Sequence, residues 1–176
     1  MFLRAWKNKK IADAVLAQVH PLLNDVGRFA GSTPRTLVSD KYVLGFFCAN
    51  IGVEMRRAAG GPLPAVQQGT IMFLVLQQLF GKNAVSANEI GDLLTGSPTP
   101  NEDFRRGCDA ALKILAAGSG QHKLQGDPDY LAAREVVRRQ GNSLDFLAAG
   151  ASEDSKIAGE MLRALYYQHV IDHHKG

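Results

Sequence analysis

Apolar residues fill nearly every position from Tyr42 to Val53, and a helix carrying that run is apolar around most of its circumference. Such a helix is buried between others rather than laid on a surface. Elsewhere apolar positions recur at helical spacing. Phe104, Cys108, Ala111, Leu112 and Leu115, for example, describe one core-facing stripe. The punctuation agrees. Gly60, Gly118 and Gly150 each follow Ala-Ala at the end of such a stretch, where a left-handed residue closes a helix. Ser86 with Glu89 and Thr99 with Glu102 have capping-box spacing, and Pro100 and Pro128 suit a first turn.

These signals predict a helix from about Lys9 into the twenties, bent or broken at Pro21. Others follow over Asp40 to Ala58, Pro64 to Phe80, Ala87 to Thr95, Pro100 to Ala117, Pro128 to Arg139, Leu144 to Ala149 and Ser152 to His173. No strand pair with a hairpin turn stands out. The expected fold is all-α: a compact single-domain bundle of about seven to eight helices around a buried central helix at about 40–58. A basic amphipathic segment (1–10) precedes one helical domain (11–176). Within the central helix Gly45, Ala49 and Gly52 form a small-residue stripe that admits a neighbouring backbone, and the apolar run Ile71 to Phe80 is the expected neighbour. Asn50 is expected to be an amide bonded within the protein.

Length changes this picture little, because 176 residues bury a self-sufficient core without metal or disulfide. The two cysteines, Cys48 and Cys108, are too few for a disulfide framework and point to a reducing, cytoplasmic setting. No apolar run reaches the roughly 20 residues of a membrane span. No clear cleavage signal follows the basic opening, so the mature chain is expected to start there. The net charge of +3 is uneven, with ten Lys/Arg against four Asp/Glu up to Asn88 and ten against thirteen afterwards.

Candidate chemistry is sparse. Elbow, phosphate-loop, dinucleotide and Cys-x-x-Cys patterns are absent, which argues against an enzyme without excluding a cleft assembled from distant residues. At the C-terminus His169 and His173 share a helix face with Asp172 close by, a spacing that places two imidazoles on one metal ion. The glutamate of the metalloprotease pattern is missing, and Glu54, His20 and His122 are the remaining ligands in principle. We read the cluster as a helix end, where cationic side chains suit the dipole, and expect no metal or other cofactor. Each of the pairs Arg56-Arg57, Arg105-Arg106 and Arg138-Arg139 has an acid three or four residues upstream, Glu54 for Arg57, Glu102 for both of the second pair and Glu135 for both of the third, and they read as solvated, paired faces rather than a phosphate-binding stripe. A helix-turn-helix over Val85 to Leu115 is disfavoured by its long connection and by Glu102 and Asp103 at the start of the would-be reading helix.

The opening ten residues carry the sharper binding signal. Phe2, Leu3 and Trp6 sit among Arg4, Lys7, Lys9 and Lys10 with no acid before Asp13, a mix that lets a short helix lie in an anionic membrane interface. The alternative expectation is that its aromatic residues fold back onto the domain while the lysines stay in water. The leading functional expectation is a protein-interaction or scaffold module, binding a protein partner or itself. Peripheral membrane association through Phe2, Leu3, Arg4, Trp6 and Lys7 comes second, a metal enzyme using His169, Asp172 and His173 third, and nucleic-acid binding last.

Overall fold

The helix expected at about 40–58 has well-marked ends. In the computed structural model it spans Lys41–Ala59, and the Asp40 carboxylate accepts from the amides of Tyr42 at 2.9 Å and Val43 at 3.2 Å. Those amides have no partner inside the helix, and a side-chain cap of this kind contributes on the order of 1 kcal/mol. At the other end Gly60 takes φ +73°. Its amide donates to the Arg57 carbonyl at 3.2 Å and that of Gly61 to the Arg56 carbonyl at 3.0 Å. This is a Schellman closure, which a left-handed glycine permits at little cost.

The structure describes residues 2–30, 37–82, 85–86, 90–91, 101–118 and 128. Among these the chain is all-helical: α1 (Phe2–Ala30), α2 (Lys41–Ala59), α3 (Ala65–Phe80) and α4 (Glu102–Gly118), with no strand. The chain divides into two compact units, Met1–Cys108 and Asp109–Gly176. The helices expected over Pro128 to Arg139, Leu144 to Ala149 and Ser152 to His173 lie outside the described residues, as does most of that over Ala87 to Thr95.

In the first unit α1, α2 and α3 each pack on the other two. α1 contributes Ile11, Ala12, Val15, Val19 and Leu23, the three- and four-residue spacing of one helix face. α3 contributes Ile71, Met72, Val75, Leu76, Leu79 and Phe80. α2 is buried all round only in its first half, from Tyr42 to Cys48; beyond that Ile51 and Met55 continue a single stripe and Arg56 and Arg57 stand in solvent. Phe47 is fully buried and meets Phe80 edge to face, ring centroids 5.4 Å apart, and Phe46 likewise at 6.1 Å. Buried side chains of this size each stabilise the fold by about 1.5–3 kcal/mol, and the edge-to-face contacts add to that.

Three features differ from the sequence reading. α1 begins at Phe2 and runs through Pro21, so the basic opening is the first part of a long helix. Asn101 caps α4, its side-chain oxygen accepting from the Phe104 amide at 3.1 Å. Of the two glycines in the small-residue stripe, Gly45 meets a neighbouring backbone, that of α4, and Gly52 does not. A Cβ at Gly45 would strike the Phe104 backbone, with the carbonyl carbon 2.8 Å away, and one at Gly107 would lie 2.9 Å from the Phe46 nitrogen. Nothing lies within 4 Å of a Cβ at Gly52. The backbones of α2 and α4 are therefore in direct contact at Gly45 and Gly107, closer than the roughly 8–10 Å axis separation that ordinary side chains impose.

Candidate functional site

At the N-terminal end of α1 the buried face is set by Asn8, Ile11, Ala12 and Val15. Asn8 is held there by the side chain of Gln67, which donates to its oxygen at 2.7 Å and ties the start of α1 to the first turn of α3. At about 100° per residue, Trp6 falls roughly 200° from Asn8 and projects from the opposite side of the helix. Its side chain is accordingly bare, at 64% exposure, and does not fold back onto the domain.

Basic groups surround it. Lys10, one turn on, places its Nζ 5.6 Å from the centre of the indole ring. That is within the range of cation–π attraction and places the ammonium over the indole ring. Lys9 is exposed and pairs with Asp13 at 2.7 Å, which neutralises the first acid of the helix. Lys7 is also exposed. Arg4 and the apolar Phe2 and Leu3 occupy the first turn of α1, with side chains outside the described set. Val66, adjacent to Gln67, is 85% exposed, so a second bare apolar side chain stands at this end of the α1–α3 pair. Sequence reading missed it; its position just after Leu-Pro-Ala, in a helix start without an acidic residue, was the available signal.

The other candidates separate from this site. His169, Asp172 and His173 lie outside the described residues, as do His122, Arg138 and Arg139. Among the described residues no group of three potential ligands converges on a point. His20 is exposed and within 3.2 Å of the Asn24 amide, and Glu54 is engaged by Arg57 at 3.0 Å. Arg106 pairs with Asp103 at 3.6 Å rather than with Glu102, and the Arg56 guanidinium reaches back to the Gly52 carbonyl. These arginines bond within their own helices on a solvated surface. Asn50 donates to the Phe46 carbonyl at 3.0 Å, an amide satisfied within its own helix. Of the stripe expected on α4, Ala111 is buried and Phe104, Cys108 and Leu115 are half-buried, whereas Leu112 is 46% exposed.

Cys48 and Cys108 are not joined in a disulfide in this structure. Cys48 is buried in α2, and burial first, then the neighbouring Cys108, pushes its thiol well above the ordinary range. Cys108 is half-buried and donates its Sγ–H to the Gly45 carbonyl at 3.2 Å.

No described helix is long and apolar enough to cross a membrane. Compared with protein-family models, curated proteins and solved structures, the chain matches none. The functional reading therefore rests on the physical character of the exposed groups.

Proposed function

We propose that the protein is a non-catalytic association module that docks on an anionic lipid surface through the outer face of α1. The observation that supports this is the bare Trp6 indole beside Lys7 and Lys10 on a helix whose other face is fixed to the domain. An indole suits the boundary between headgroups and acyl chains, since its ring is amphipathic. Lysines at the same level meet the phosphates. The segment is too short for firm anchoring by itself, so docking is shallow and reversible. The cytoplasmic leaflet, which carries the anionic lipids, is the matching surface, and the helical signals outside the described residues bring the bundle to seven or eight helices.

Sedimentation of the full-length protein with vesicles tests this. Vesicles containing phosphatidylserine should pellet it and purely phosphatidylcholine vesicles should not. Removing two charges with K7Q and K10Q should weaken partitioning about 30-fold, from about 1 kcal/mol per basic residue near the surface. Equal pelleting of the wild type and the K7Q/K10Q protein would defeat the proposal. Absence of vesicle binding together with concentration-dependent self-association would move the same surface to a protein partner.

A further inference from the structure

The seam between α2 and α4 holds both of the chain's cysteines. Cys108 follows Gly107, at the contact with Tyr42 and Phe46, and its sulfur touches the Gly45 carbonyl at 3.2 Å. Cys48 lies three residues beyond Gly45 on the same side of α2, and a helical side chain leans back over the carbonyl of the preceding turn. The Cys108 thiol thus stands beside the Gly45 carbonyl, one turn from Cys48, and is near enough to act on the Cys48 thiol. A disulfide needs Cα atoms about 4.4–6.8 Å apart, closer than typical helix packing provides. A seam in which Gly45 and Gly107 let the backbones touch brings the two helices nearer than that packing does.

We propose that Cys48 and Cys108 form a reversible intrachain disulfide when the protein meets a peroxide, stapling α4 to α2. The half-buried Cys108 reacts first. Its thiolate attacks one peroxide oxygen, an S–O bond forms as the O–O bond breaks, and the departing hydroxide takes up the thiol's proton to leave as water. Two electrons pass from sulfur to oxygen, and Cys108 becomes a sulfenic acid. The Cys48 sulfur then attacks the Cys108 sulfur; the S–S bond forms, the S–O bond breaks, and the hydroxyl leaves with the Cys48 proton as a second water. Overall two thiols and one hydrogen peroxide give one disulfide and two waters, and an external dithiol reverses it. The buried Cys48, holding its proton firmly, serves only as the resolving thiol, and its step is the slow one. This inference is independent of the lipid surface.

The test uses the full-length reduced protein, treated with equimolar hydrogen peroxide, denatured, alkylated and weighed by intact-mass spectrometry. The expected product is monomeric, lacks two hydrogens, has lost both alkylatable thiols together and regains them with dithiothreitol; peptide mapping of the wild type should find Cys48 joined to Cys108. C48A should stop at a Cys108 sulfenic acid that dimedone captures, and C108S should keep its remaining thiol. Two thiols still alkylated, disulfide-linked dimers alone, or Cys108 passing to the sulfinic acid as fast in the wild type as in C48A would each overturn the proposal.

Discussion

Gly45→Ala is expected to destabilise the protein by about 2–4 kcal/mol, lowering the thermal midpoint by roughly 5–15 °C. The added methyl would meet the backbone of Phe104, carbonyl carbon at 2.8 Å and Cα at 3.1 Å. A backbone has no rotamer to move aside, so α4 must shift away from α2, loosening the burial of Phe46 and Tyr42 alongside. Alanine gains about 1 kcal/mol of helix propensity over glycine, and this only partly offsets the collision. Gly52→Ala provides the internal contrast. It lies seven residues along the same helix with nothing within 4 Å of its Cβ, so there the propensity gain stands alone and the midpoint should rise by a few degrees. Thermal denaturation of the two variants beside the wild type reads out the sign of each. A midpoint for Gly45→Ala at or above the wild-type value would show that α4 does not rest on α2.

Phe47→Ala should cost about 3–5 kcal/mol, a large share of a domain's total stability. Phe47 has no exposed surface and loses two edge-to-face contacts at once, to Phe46 and Phe80. Because Phe80 sits at the end of α3, the cavity would open between two helices, where collapse is limited by the capped, closed ends of α2. Val66→Ala, on the exposed first turn of α3, should change stability by less than about 0.5 kcal/mol. Urea denaturation of both variants checks the contrast, and a small loss for Phe47→Ala would remove α2 from the centre of the core.

The helix ends of α2 were legible because their chemistry is local: a carboxylate at Asp40 reaches the first free amides, and Gly60 adopts a conformation other residues avoid. The packing partner at Gly45 was not. A small-residue stripe shows that a backbone is able to approach, but the neighbour depends on tertiary placement, and α4 rather than the Ile71 to Phe80 segment makes the backbone contact. α1 starts earlier than its apolar period suggests because Ala, Leu, Arg and Lys favour helix without a cap or an apolar stripe. It passes Pro21 because the packed Val19 and Leu23 hold the helix on either side of the lost hydrogen bond. The candidate site shows the same division. Composition pointed to Trp6 and Lys7, but whether the indole turned inward depended on the register of α1, which Asn8 fixes by pairing with a residue 59 positions away.

The emission of Trp6 tests the proposed docking surface most directly, since the chain has a single tryptophan and the signal needs no label. In buffer the full-length protein should emit as a water-exposed indole. Adding phosphatidylserine-containing vesicles at low salt should shift the emission to the blue and make it quenchable by brominated acyl chains, and raising the salt should reverse both changes. A buried-indole spectrum in buffer, or an emission that the anionic vesicles leave unchanged, would contradict it.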